Sequence, residues 1–136
     1  MRKSRACLLW IPVVVSLLAC GEAETPPQRI SGSPAEVADR VAAFARATAL
    51  RDFALICEDI YSAAVRQAAG GARCPDLLER ATSSVRSPSI DIKQIEIAEQ
   101  FALVTVIARA RDQAPVTETI RLERDRDDVF RIVGLN

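Results

Sequence analysis

A tyrosine close in sequence to two aspartates is the arrangement in this chain that best matches acid–base chemistry. Tyr61 is the only tyrosine, and Asp52 and Asp59 precede it in the helical part of the chain. A Tyr–Asp pair supplies a hydroxyl donor and a general base. The chain has no histidine, so the commonest general base is missing. The favoured alternative makes Asp52 a helix cap, leaves Asp59 in water and puts Tyr61 at a rim.

Three arginines mark a candidate anion site. Arg109 and Arg111 end one predicted strand, and Arg121 lies on the next. If adjacent strands brought them together, paired guanidinium groups would bind a carboxylate or another anion. The favoured alternative is a solvated sheet face on which Glu118 and Glu123 offset these arginines through cross-strand pairs.

The N-terminus has the pattern of an exported protein. Basic residues precede an apolar run, Ala6–Ala19, which ends directly before Cys20. As a helix this run would span about 21 Å, less than the hydrocarbon core of about 30 Å, and Pro12 interrupts it. A secretory signal peptide therefore fits better than a transmembrane helix.

The four residues Leu17–Cys20 resemble the lipobox of bacterial lipoproteins. The resemblance implies cleavage after Ala19 and a lipid on the Cys20 thiol, which anchors the protein on the extracytoplasmic side of the cell membrane. The alternative is an ordinary secretory signal with an incidental cysteine. We predict a signal peptide over residues 1–19, a flexible tether over 20–33 and one folded domain over 34–136.

The charge of the exported chain argues against nucleic acid as a partner. The sequence has 18 basic and 18 acidic residues, and removal of Arg2, Lys3 and Arg5 leaves 15 against 18, a net charge of −3. A mildly acidic chain with no basic cluster is a poor match for a phosphate backbone. We therefore expect no nucleic-acid partner.

Cys57 and Cys74 are the cysteines that remain in the predicted domain. An oxidising compartment favours a disulfide between them, and two buried free thiols are the alternative. Without histidine or a second cysteine pair a metal site is not expected, and we expect no cofactor.

The first half of the domain has helical patterns. Ser33, Pro34 and Glu36 form a start signal for a helix that runs to about Leu50. The pattern then predicts three shorter helical stretches: one after Asp52 that carries Cys57, one over Tyr61–Ala69 that stops at Gly70-Gly71, and one that begins at Cys74-Pro75.

After Pro88 the hydrophobic period changes from helical to alternating. Ile90 and Ile92 share one face, and Ile95 and Ile97 have the opposite parity, so we predict a β-bulge near Lys93-Gln94. Further strands are predicted over Phe101–Arg111, Val116–Glu123 and Val129–Leu135, with a polar hairpin turn at Asp125–Asp128. Beside the helical stripe, the pattern assigns these residues to the core: Leu77, Leu78, Ile90, Ile92, Phe101, Leu103, Val104, Val106, Ile107, Ile120, Leu122, Phe130 and Ile132.

Helices followed by strands indicate an α+β fold, with N-terminal helices packed into a curved antiparallel four-stranded sheet. This order resembles the cone-shaped fold of the nuclear transport factor 2-like superfamily, and in detail small actinobacterial lipoproteins of that superfamily. The motifs that carry the resemblance are the helix Ala35–Leu50 with Arg51-Asp52, Cys57 in the second helix, Cys74-Pro75 with Leu77-Leu78, and the C-terminal Asp127–Ile132. Phe130 stands where that family usually has tryptophan, and the turn before it lacks the usual glycine.

The resemblance implies a cone between helix and sheet but no single activity, because the superfamily includes enzymes, transport adaptors and members without known activity. We expect a non-enzymatic, lipid-anchored module that binds a small apolar ligand in the cone, or a protein partner through the outer sheet face, including a second copy as a homodimer. The first alternative is an isomerase- or cyclase-type enzyme that uses Tyr61 and an aspartate. The second is a structural envelope lipoprotein with a filled cone.

Overall fold

The structure, a computed structural model, describes residues 33–136. The helical half contains α1 (Pro34–Leu50), α2 (Phe53–Leu55), a π-helical turn (Ile56–Ile60), α3 (Ala63–Ala68), a short 3-10 turn (Gly71–Arg73) and α4 (Cys74–Ala81). The strands that follow are β1 (Ser89–Ala98), β2 (Phe101–Arg109), β3 (Val116–Arg124) and β4 (Phe130–Leu135). They form one antiparallel sheet in the order β1-β2-β3-β4, which confirms the predicted α+β fold. The sheet is neither closed nor strongly curled, and β1 and β4 are its two edges.

Helix α1 begins and ends where its sequence predicts. The Ser33 hydroxyl accepts a hydrogen bond from the Glu36 N–H, and the Glu36 carboxylate accepts one from the Ser33 N–H, which completes a capping box. The helix ends at Arg51, whose φ of 57° is left-handed. One side of α1 is buried against the sheet and consists of Val37, Val41, Phe44 and Ala47. Full burial of a large apolar side chain contributes roughly 1.5–3 kcal/mol.

A disulfide joins the π-helical turn to the start of α4. Cys57 and Cys74 are bonded with their Cα atoms 6.1 Å apart, and both side chains are buried, which confirms the predicted pair. A disulfide that closes a loop of this size stabilises the folded state by about 3 kcal/mol in the chain-entropy model. The chain turns between the cysteines at Gly70, where φ is 112°, a backbone conformation that residues with a Cβ rarely adopt. Only glycine fits that position.

A β-bulge keeps the isoleucines of β1 on one face. The register with β2 shifts between Ile92 and Gln94, as the change of parity in the sequence predicts. On either side of the shift, each isoleucine of β1 lies opposite an inward-facing residue of β2, in the pairs Ile90–Ala108, Ile92–Val106, Ile95–Val104 and Ile97–Ala102. Without the extra residue, half of these side chains would point to the opposite face.

The sheet has an inner face under the helices and an outer face without helices among residues 33–136. The inner face of the central strands is buried and includes Ala102, Val104, Val106, Ile120 and Leu122. The outer face carries the alternate residues, so Phe101 and Leu103, predicted as core, are instead 38% and 43% exposed. Both strand faces are apolar there, and alternation alone does not tell which one the helices cover.

Two other predicted core residues are partly exposed. Leu77 lies at the surface of α4 above Gly70 and is 38% exposed, and Ile92 lies on the edge strand β1 beside the bulge.

Tyr61, by contrast, is only 7% exposed, because its backbone forms a parallel bridge with Ile132 and its ring lies 6.2 Å from that of Phe44. The expected rim position of Tyr61 is therefore wrong.

Arg124, the last residue of β3, joins α1 to the final hairpin. Its guanidinium group pairs with Glu36 at 2.8 Å and with Asp128 at 2.9 Å, and lies 4.4 Å from the centre of the Phe130 ring. The Arg124 side chain is only 8% exposed. The hydrogen bond from Arg124, assisted by one from the Ser33 backbone, lowers the pKa of Glu36. We call this set of contacts the Arg124 clamp.

Substitution Glu36→Gln should remove the charged part of the clamp and keep the helix cap. The pKa of Glu36 is lower in the folded state than in the unfolded state, so the ionised carboxylate stabilises the fold. This contribution is complete above the unfolded-state pKa and is lost as pH falls through the folded-state pKa. We expect E36Q to unfold at lower urea than the parent at pH 7, and the two midpoints to approach each other as pH falls below the ordinary pKa of glutamate. Urea unfolding followed by circular dichroism over a pH series measures this difference.

The matched control is Glu79→Gln on α4, because Glu79 is exposed and takes no part in the ion pairs found among residues 33–136. Its midpoint should follow that of the parent at every pH. A constant gap between E36Q and the parent down to pH 3 would show that the charge of Glu36 is not the stabilising element.

Candidate functional site

A cavity lies between the second half of α1 and the inner face of the sheet. Its volume is about 240 Å³. The walls come from α1 and from all four strands and include Phe44, Thr48, Ile90, Val106, Ala108, Val116, Glu118, Ile120 and Leu135. We call this space the inner cavity.

The inner cavity exists because small residues occupy the end of the sheet under the last turns of α1. Ala108 faces inward between Ile90 on β1 and Val116 on β3. Its neighbour on the same face of β2 is the larger Val106, which is buried. Ala110 and Ala114, near the turn between β2 and β3, also line the space. A longer aliphatic side chain at these positions would fill the space, whereas the methyl group of alanine leaves it open.

Few polar groups face the inner cavity. The Thr48 hydroxyl donates a hydrogen bond to the Phe44 carbonyl at 2.8 Å, so its donor is satisfied within α1. Glu118 lies opposite Val106 in the register and is half-buried. Arg109 also borders the space, and its guanidinium group pairs with Asp91. Ser89 and Gln113 complete the polar lining, so the cavity is a mainly apolar space with one carboxylate in its wall.

A second cavity, of about 480 Å³, lies beside Tyr61 and has a more polar lining. Glu58, Arg66, Asp125 and Arg131 contribute to it. Burial raises the pKa of the Tyr61 hydroxyl, which disfavours the phenolate. The hydrogen bond from Arg131, with others from backbone N–H groups, lowers the pKa of Asp125 and keeps that carboxylate ionised.

The aspartates that were candidates for acid–base chemistry do not line this second cavity. Asp52 caps α2, and its carboxylate accepts a hydrogen bond from the Leu55 N–H at 3.1 Å. Asp59 has a half-exposed side chain that pairs with Arg40 at 2.7 Å and with Arg131, a wall residue of the cavity, at 3.7 Å. The aspartate whose position in the wall beside Tyr61 is described above is Asp125.

The three candidate anion-binding arginines are also kept apart. Arg121 lies opposite Leu103, whereas Arg109 lies opposite Ser89 at the far end of β2. The six residue steps from Leu103 to Arg109 span about 20 Å of strand. An antiparallel hairpin pairs residues at equal distances from its turn, and Arg121 is much farther from the β2–β3 turn than Arg109 or Arg111. One site that contains all three guanidinium groups is therefore not formed.

Exposed apolar side chains form a patch on the outer face, at the end of the sheet that carries the β1–β2 hairpin turn. Leu103 on β2 lies between Glu96 on β1 and Arg121 on β3, and Phe101 lies between Ala98 on β1 and Glu123 on β3. The Arg121 guanidinium group lies 5.1 Å from the centre of the Phe101 ring. Gly134 lies opposite Arg121 on β4 and adds no side chain beside it. We call these residues of β1, β2 and β3 the outer-face patch.

The predicted signal peptide and the lipid-bearing Cys20 lie outside residues 33–136, which the structure describes. Within those residues, no helix combines the length and the apolar character needed to cross a bilayer. Attachment to a membrane is thus a prediction from the N-terminal sequence.

Comparison with known proteins adds no relative. No family model matches the chain, and no curated protein or solved structure matches it. The resemblance to the nuclear transport factor 2-like superfamily therefore rests on the order of the elements and on the motifs in the sequence.

Proposed function

We propose that this chain is a lipid-anchored, extracytoplasmic module of nuclear transport factor 2-like type that binds a small apolar ligand without transforming it. The observation that supports the proposal is the inner cavity, whose walls are mostly aliphatic. Replacement of water by hydrocarbon in such a space is favourable, and pockets for small molecules are typically apolar with a few polar groups.

The size of the inner cavity limits the ligand. At roughly 30 Å³ for each water in the liquid, 240 Å³ corresponds to about eight water molecules. An alkyl chain of about six to eight carbon atoms has a similar volume, since a methylene group and a water molecule are similar in size. Drug-sized ligands usually occupy about 300 Å³ or more. The proposed ligand is therefore a short-chain molecule.

Binding without catalysis is proposed because Tyr61 and the aspartates of the described residues do not line the inner cavity. A general base must reach the proton that it removes, within hydrogen-bond distance or through one water. Asp52 and Asp59 each have a structural partner. Tyr61 lines the second cavity together with Asp125, whose carboxylate accepts a hydrogen bond from Arg131.

The tether would hold the inner cavity close to a source of apolar molecules. Residues 20–33 span at most about 45 Å when fully extended. An acylated Cys20 would therefore keep the domain within that distance of the bilayer surface, where molecules with short alkyl chains concentrate.

Association of two copies through the outer-face patch is a second candidate function. Phe101 and Leu103 are 38% and 43% exposed. Contiguous exposed apolar side chains mark interaction sites on protein surfaces. Leu103 lies between Glu96 and Arg121 in one cross-strand row. A two-fold axis through Leu103 would set Glu96 of one copy against Arg121 of the other, so the patch is complementary to itself in charge.

Substitution Cys20→Ser tests the anchor. We expect the parent to incorporate labelled palmitate and to fractionate with the membrane, and C20S to lose the label and appear in the extracytoplasmic soluble fraction. Cys7→Ser is the control, since Cys7 lies within the predicted signal peptide, and it should leave both results unchanged. A parent protein that is unlabelled and cytosolic would refute the proposed location.

Substitution Ala108→Phe tests the ligand site by filling the inner cavity. We expect the exported C20S chain to bind octan-1-ol in titration calorimetry, and A108F in the same background to lose at least about tenfold in affinity, because the ring occupies the space of the alkyl chain. Ile107→Phe is the matched control, since the adjacent residue faces the other side of the sheet. Equal octanol binding by A108F and I107F would place the ligand elsewhere.

Substitution Leu103→Asp tests association through the outer-face patch. We expect the C20S chain to sediment as a dimer at equilibrium and L103D to sediment as a monomer, because a carboxylate at the centre of the contact would be desolvated without a partner. Leu50→Asp is the control, since Leu50 is 79% exposed at the end of α1. A parent that remains monomeric at millimolar concentration would exclude this second function.

A further inference from the structure

Glu118 is the acidic side chain in the wall of the inner cavity. It lies on β3 between Val116 and Ile120 on the helix-facing side and opposite Val106 of β2. Its neighbours on the same face are therefore aliphatic, and Val106 and Ile120 are buried. A strand that alternates strictly would normally place an apolar residue at such a position.

No ion pair formed among residues 33–136 uses Glu118. The basic residue that also borders the inner cavity is Arg109, and its guanidinium group is paired with Asp91 on the outer face. A carboxylate beside apolar walls is less well hydrated than one on an open surface, and it gains most from a partner of opposite charge. The ion pairs of the described residues therefore give no reason for a charged side chain at position 118.

We propose that the inner cavity selects a small amphiphilic cation, with its alkyl chain on the aliphatic walls and its ammonium group on Glu118. The inference rests on the proposed function, because it names the class of ligand for the same cavity. A neutral alcohol would give Glu118 one hydrogen bond but no opposite charge, and an anionic ligand would be repelled. An ammonium group satisfies the carboxylate through charge-assisted hydrogen bonds.

Thr48 supplies a second acceptor on the opposite wall. Its hydroxyl proton is used in the bond to the Phe44 carbonyl, so the hydroxyl oxygen presents lone pairs and no donor. Thr48 and Glu118 line the same space, one from α1 and the other from the sheet. An ammonium group has three N–H donors and no acceptor, which matches a lining that offers acceptors on both sides.

Three ligands with the same alkyl chain separate the contribution of charge from that of the apolar walls. The probes are octylammonium, octan-1-ol and octanoate, titrated into the exported C20S chain at pH 7 and low salt. We expect octylammonium to bind about tenfold more tightly than octanol, and octanoate to bind more weakly than either. In Glu118→Gln, octylammonium should fall to the affinity of octanol while octanol is unchanged or improved.

Glu123→Gln is the matched control, because Glu123 lies on the same strand but on the outer face, opposite Phe101. It should retain the preference for octylammonium. A second measurement needs no substitution at the site: with carboxyl-¹³C glutamate in the chain, octylammonium should shift the Glu118 carboxyl resonance and octanol should shift it far less.

The outcomes distinguish the inference from the function on which it rests. Binding of octanol as tight as that of octylammonium in the parent would overturn the selection by charge and leave the apolar site intact. A preference for octylammonium that persists in E118Q would overturn the role of Glu118. Absence of binding by all three probes would overturn the proposed function itself.

Discussion

The buried side of α1 packs against the inner face of the sheet, and the other features of the domain depend on this contact. A four-stranded sheet in isolation would leave its aliphatic inner face in water. Val37, Val41 and Phe44 supply the apolar surface that covers it. The capping box and the Arg124 clamp fix the start of the helix, so the end of α1 is set at one position above the sheet. The inner cavity is the space that remains where α1 approaches its end.

Much of the fold could be predicted from local chemistry in the sequence. The Ser33–Glu36 capping box defines the start of α1, the parity change after Ile92 gives the bulge, and the export signal predicts the oxidised Cys57–Cys74 pair. Each of these features depends on a few neighbouring residues and on physical rules that act over one or two turns of chain. They did not require knowledge of how the helices meet the sheet.

The predictions that failed depend on contacts between distant segments. Strand β2 is apolar on both faces, so its sequence does not tell that Leu103 faces outward and Val104 inward. Tyr61 is buried because it pairs with Ile132 of the last strand, which no local pattern indicates. The candidate anion site, which the sequence ranks below a solvated face, needs Arg109 and Arg121 to meet, and the register of the β2–β3 hairpin keeps them apart. The inner cavity likewise depends on Ala108 lying under α1, a relation that only the packed structure reveals.

The order of strands in the sheet has a consequence for how the domain folds. Each strand pairs with its neighbour in the chain, so the hairpins close short loops and can form quickly. Helix α1, by contrast, packs against both β1 and β4, the two strands at opposite edges of the sheet. These contacts join residues that are far apart in the sequence. Forming them therefore accounts for most of the entropic cost of loop closure. Helix α1 is made before the other described elements, but its complete binding surface forms last. This amphipathic helix therefore remains without its partner until the final strand has been made.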